Sequence, residues 1–124
     1  MILILLVTQD KASFSDLAAV LKENNVEVMW VESGKEALSI VTDKFVHLLL
    51  ADEQLSDMTA LELIKEVVSI NPMINCAAVS SLSPEDFHEA YEGLGVLMQI
   101  PPSPGAKDGE KLLAHLKKIY SMDS

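Results

Sequence analysis

The run His47-Leu48-Leu49-Leu50-Ala51-Asp52 ends an apolar segment on a carboxylate. If that segment is a buried parallel strand, Asp52 lies just outside the carboxyl edge of a sheet, where open α/β folds place their ligand chemistry. Asp10 and Glu53 also fall at predicted strand ends, where acids are mostly solvated or serve as caps. Ser80 closes a second apolar run, and a hydroxyl there is also common loop chemistry. His47, His88 and His115 fall on different predicted elements without ligand spacing, which points to solvated or core roles rather than a metal site. Gly93 and Gly95 follow a helix and precede a strand, so they do not form a phosphate-binding glycine pattern.

Five apolar runs alternate with five segments of helical period, the signature of βα units building a parallel sheet. The strands are expected at 2–8, 27–31, 46–51, 75–80 and 96–100. The first, third and fourth are almost continuously apolar, as strands covered on both faces must be. The second carries Glu27 and is followed by Glu32, which suits a sheet edge. Helix one is expected over 14–24 with Ser13 as its cap, and helix two opens at Ser33 or Gly34. Helix three follows a Thr59–Glu62 capping box and stops before Asn71-Pro72. Helix four follows Ser83-Pro84, and helix five runs over 108–120 with Leu112, Leu113, Leu116 and Ile119 inward. Trp30 is read as packing on helix one or two, or as a contact anchor.

The 124 residues form one expected domain over 1–124, with 19 acids against 9 bases and a net charge of −10. Such a field repels phosphate backbones and anionic membranes, so no direct nucleic-acid or membrane binding is expected. The single cysteine, Cys76, permits no intrachain disulfide and reads as a small core side chain. The apolar amino terminus is too short to span a bilayer and lacks a basic leader, so a cytoplasmic location is expected.

The stretch Leu48-Leu49-Leu50-Ala51-Asp52-Glu53-Gln54-Leu55-Ser56-Asp57-Met58-Thr59-Ala60-Leu61-Glu62-Leu63-Ile64 resembles the third strand, active-site loop and third helix of response-regulator receiver domains. The resemblance covers essentially the whole chain. It implies an α/β, flavodoxin-like, doubly wound sheet of five parallel strands in the order 2-1-3-4-5, with five helices. Right-handed crossovers then put helices one and five on one face and two, three and four on the other.

By the same resemblance Asp52 is the phosphoacceptor and Ser80 the hydroxyl that contacts the phosphoryl group. The family's acid pair after strand one falls on Thr8 and Gln9, and its lysine at the end of strand five falls on Ile100. Aligning Gly95 instead of Gly93 on the family's glycine puts Pro102 in the lysine position, again without a cation. Ser56-Asp57 replaces the loop's usual Pro-Gly. The resemblance also implies a cis bond between Ile100 and Pro101.

Without the acid pair and the lysine, both sources of positive charge for phosphoryl transfer are missing. The expectation is therefore a receiver-like domain of phosphorelay signal transduction, impaired in magnesium-dependent phosphorylation and acting by protein contact rather than as an enzyme. Its expected partner is a histidine kinase or an output domain, and a homodimer through helix four, strand five and helix five fits the same family. Two alternatives stand beside it. One is a working receiver phosphorylated on Asp52 by a histidine kinase, with magnesium held by Asp10, Asp52 and Glu53 in another arrangement. The other is a small flavodoxin-like ligand-binding module that retains a flavin or nucleotide.

Overall fold

The computed structural model describes residues 2–120. Five strands, β1 (Leu3–Val7), β2 (Glu27–Val31), β3 (Leu48–Ala51), β4 (Asn75–Val79) and β5 (Val96–Ile100), form one sheet. All four pairings are parallel and the order is β2-β1-β3-β4-β5. Every residue of β1 and β3 is buried, as their unbroken apolar character requires when helices cover both faces. β2, whose residues run from exposed to half-buried, takes the edge.

The helices are α1 (Ser15–Glu23), α2 (Gly34–Asp43), α3 (Ala60–Ile70), α4 (Pro84–Ala90) and α5 (Ala106–Tyr120). Leu17, Leu21, Leu112 and Leu116 of α1 and α5 bury against Ile4, Leu6, Leu48 and Leu50 on one face of the sheet. Ala37, Val41, Leu63, Val67 and Phe87 of α2, α3 and α4 bury against Leu5, Val7, Leu49 and Ala51 on the other. Alternation along each strand divides the two cores. Trp30 packs on the α1 side, with Lys11 Nζ 5.0 Å from its ring centroid.

Side-chain caps hold the starts of three helices. Ser33 Oγ accepts the Glu36 N–H at 3.1 Å, Ser83 Oγ accepts the Asp86 N–H at 3.2 Å, and Thr59 with Glu62 forms the reciprocal capping box. Three local expectations are corrected. Helix one does not begin on a Ser13 cap: residues Lys11–Phe14 form a 3-10 turn, and Asp10 Oδ1 accepts the Ser13 N–H at 3.3 Å. α5 begins at Ala106, because Asp108 Oδ2 accepts the Gly105 N–H at 2.8 Å and closes the first turn earlier. Ile119 is 44% exposed, since the inward stripe Gly109, Leu112, Leu113 and Leu116 continues at Tyr120.

The expected cis bond is absent too. No cis peptide occurs among the described residues, and Ser103, at φ 55°, turns the chain through the left-handed region after Pro101-Pro102.

α5 crosses α1 closely at Gly109, where a β-carbon would lie 2.9 Å from the Leu17 carbonyl oxygen and 3.2 Å from Val20 Cβ. Alanine in a helix gains about 1 kcal/mol over glycine, but overpacking against backbone costs roughly 1–3 kcal/mol. The clash outweighs the gain, so Gly109→Ala should lower Tm by a few degrees in a thermal melt.

At the amino end of the sheet His47 Nδ1 accepts the Leu3 N–H at 3.0 Å, while its ring meets Phe45 and Tyr120 edge-on at centroid distances of 4.9 and 5.0 Å. The bond needs a neutral imidazole, and burial lowers the pKa below the ordinary 6.5. The unfolded chain therefore binds this proton more readily. The His47 contribution should be complete above pH 6.5 and lost as pH falls through the lowered value. Urea melts across that range should lose stability faster in the native protein than in His47→Asn, whose amide oxygen can still accept the Leu3 N–H. Parallel profiles would refute the assignment.

Candidate functional site

The Asp52 N–H donates to the Val7 carbonyl at 2.8 Å, which extends the β1–β3 ladder by one residue and fixes Asp52 at the carboxyl edge. Thr8 is held in the same way, its N–H donating to the Val31 carbonyl at 3.0 Å. The two side chains meet. Thr8 Oγ1 donates to Asp52 Oδ2 at 2.7 Å and accepts the Asp10 N–H at 3.0 Å. The other carboxylate oxygen, Asp52 Oδ1, accepts the Glu53 N–H at 2.9 Å. Thr8 is buried and Asp52 half-buried, so the pair sits at the rim of the core.

The remaining acids turn elsewhere. Asp10 is exposed and its carboxylate caps the turn at Ser13. Glu53 Oε2 accepts both the Ser81 N–H at 2.9 Å and the Ser81 hydroxyl at 3.0 Å. Gln9 is exposed and neutral. Among the described residues no group of three or more His, Cys, Asp or Glu side chains could hold a metal ion. A magnesium ion wants several oxygens in near-octahedral array. One neutral hydroxyl, one carboxylate and acids committed to other partners do not fit that shell.

Ser80 directly follows β4, which pairs with β3, so it shares the edge with Asp52. Its N–H donates to the Ile100 carbonyl at 3.0 Å, and its Oγ accepts the Leu82 N–H at 3.1 Å. Ile100 is fully buried in the core under α1 and α5, with Leu97 packed on the same cluster. Ile100 therefore contributes core packing and no charge.

Three residues with clear roles at this edge were not legible in the sequence. β5 carries a bulge: Cys76 pairs with Val96, but Ala78 pairs with Gln99, so three steps on β5 match two on β4. Leu97 and Met98 consequently both pack on the α1–α5 side, and Gln99 is re-aimed to the other. There its Nε2 donates to the carbonyls of Ser80 at 3.2 Å and Leu82 at 2.8 Å. Glu53, read as a solvated or cation-binding acid, instead ties two loops together. Asp57, in the atypical Ser56-Asp57 loop, accepts the N–H groups of Gly34 at 2.8 Å and Lys35 at 3.0 Å. Those bonds at the start of α2, the Gly34 N–H foremost, pull its pKa below the usual carboxylate value. The only sequence signal for that bond was an acid in a loop and a helix start 23 residues earlier.

Two further groups are displaced by burial. The Cys76 thiol is pushed up to about 12, as befits an inert core side chain. The Tyr91 phenol, stacked on Phe87 at 4.4 Å, is pushed up to about 12 by burial and by the nearby Glu53 charge.

Comparison with known proteins agrees with this geometry. Residues 4–100 match the response regulator receiver domain family. A response regulator receiver protein of Anaeromyxobacter sp. (strain Fw109-5) is 29% identical over 97 residues, covering 77% of this chain and 41% of the relative. The chain thus spans about two fifths of that relative's length. Among solved structures, a CheY-like receiver domain protein from Methanospirillum hungatei JF-1 aligns with a TM-score of 0.77 at 23% identity, over 95% of this chain and 98% of that one. A two-component response regulator from Clostridium difficile aligns with a TM-score of 0.82 at 16% identity, over 97% and 99%. At those identities the structural likeness speaks for the fold, and the family match for the kinship. With the sheet order, the edge position of Asp52 and the match over 4–100 in agreement, the chain belongs to the response regulator receiver domain family.

Proposed function

We propose that this receiver domain of two-component signalling is degenerate at its phosphorylation site and acts through protein contact. One observation carries the reading: Asp52 Oδ2 takes a hydrogen bond from the buried, neutral Thr8 hydroxyl, where the family places an acid. Phosphoryl transfer is catalysed almost wholly by positioning and charge stabilisation. Thr8 and Gln9 supply no carboxylate for a metal, and Ile100 supplies no cation for the phosphoryl oxygens. Asp52 then keeps the family's position without its charge environment, and Ser80 is a phosphate contact in position only.

The partner is a protein, either a histidine kinase or an output domain, met through the surface of α4, β5 and α5, which also suits a homodimer. The high negative charge and the receiver family support a cytoplasmic role without direct contact to nucleic acid or membrane. No described helix is long and apolar enough to cross a membrane.

Incubation with acetyl phosphate and magnesium should leave the intact mass unchanged, with amide shifts around Asp52 unmoved by beryllofluoride. A phosphoryl mass increment that disappears in Asp52→Asn would establish the working receiver in place of the degenerate one.

A further inference from the structure

We propose that Gln99 and Glu53 lock the loop between β4 and α4 in a single conformation, so that its placement does not depend on phosphate on Asp52. The consequence rests on the degenerate reading above; the lock itself rests on geometry alone.

The loop spans only residues 80–83, and Ser81, Leu82 and Ser83 are exposed. Exposed loop backbone of this kind ordinarily opens at little cost. Here five hydrogen bonds from side chains hold it. Gln99 reaches in from β5, and its amide group, with two N–H donors, serves the Ser80 and Leu82 carbonyls together. Glu53 reaches in from the loop after β3, and one carboxylate oxygen accepts both the N–H and the hydroxyl of Ser81. Bonds to an ionised acceptor are the stronger kind. Ser80 Oγ completes the set by accepting the Leu82 N–H, so the hydroxyl at the phosphoryl-contact position is already engaged within its own loop.

The bulge in β5 makes this arrangement available. Strict alternation from Val96 would have sent Gln99 toward α1 and α5; the extra residue at Leu97-Met98 turns it toward the loop. A switch needs two arrangements close in free energy. Displacing residues 80–82 breaks the bonds to Gln99 of β5 and to Glu53 in the loop after β3 together, which biases the equilibrium to one state.

Native-state amide exchange on the full chain tests the lock. The Ser81 and Leu82 amides should be protected in the native protein, and Gln99→Ala should speed both by about tenfold. Gln99→Glu, which keeps the length but removes the donors, should do the same. The Leu50 and Ala78 amides should not change, which separates loop release from global loss of stability. Unprotected Ser81 and Leu82 amides in the native protein, or rates unchanged in both variants, would overturn the proposal. Repeating the measurement with acetyl phosphate and magnesium separates the two readings. Phosphate on Asp52 with unchanged loop rates would remove the degenerate reading and leave the lock standing. Phosphate on Asp52 with faster exchange at Ser81 and Leu82 would remove both.

Discussion

Because β1 and β3 are apolar on both faces, the chain has no stable arrangement in which either face meets water, and helices must cover the sheet twice over. α1 and α5 supply one cover and α2, α3 and α4 the other. With the faces closed, polar chemistry is confined to the strand ends. Thr8, Asp52 and Ser80 follow the last residues of β1, β3 and β4, and parallel pairing brings all three to one edge. The site is thus a by-product of the core: its members converge because their strands are parallel and in register.

At that edge the Asp52 carboxylate meets a neutral hydroxyl, that of Thr8. A hydroxyl hydrogen-bonded to a carboxylate satisfies it without adding charge, and Thr8 is satisfied in turn by the Asp10 N–H. The group is stable as it stands and among the described residues leaves no buried side-chain polar atom unpaired. The acids around it are engaged in structure: Asp10 with a turn, Glu53 with Ser81, Asp57 with the start of α2. The surplus of negative charge in the composition therefore acts at this edge mainly as hydrogen-bond acceptors for backbone N–H groups.

The elements that periodicity and capping chemistry define could be read from the chain. β2 and β5 fall on their expected residues, and the caps at Ser33, Thr59 and Ser83 act as their positions suggest. The place of Asp52 at the carboxyl edge of the sheet was legible for the same reason, since strand, loop and helix follow one another without a gap. What escaped depends on partners far away in sequence or on a single irregular step. Gln99 could not be assigned a direction while the bulge at Leu97-Met98 was unknown, because one extra residue reverses every later side chain. Ile119 looked inward on helical spacing, but a stripe that begins at Gly109 leads to Tyr120. The turn after β5 was expected to rest on its first proline, and the left-handed Ser103 carries it instead.

The bond from Asp57 to α2 has a consequence for the order in which the chain assembles. The amino terminus of α2 takes one cap from its own neighbour, Ser33, and a second from a residue 23 positions later. That second cap forms only once the loop after β3 has reached the start of α2. Non-local contacts of this kind must meet loop-closure entropy before they return any stabilisation. α2 therefore reaches its full stability only when the chain as far as Asp57 has come together, and not as an isolated helix.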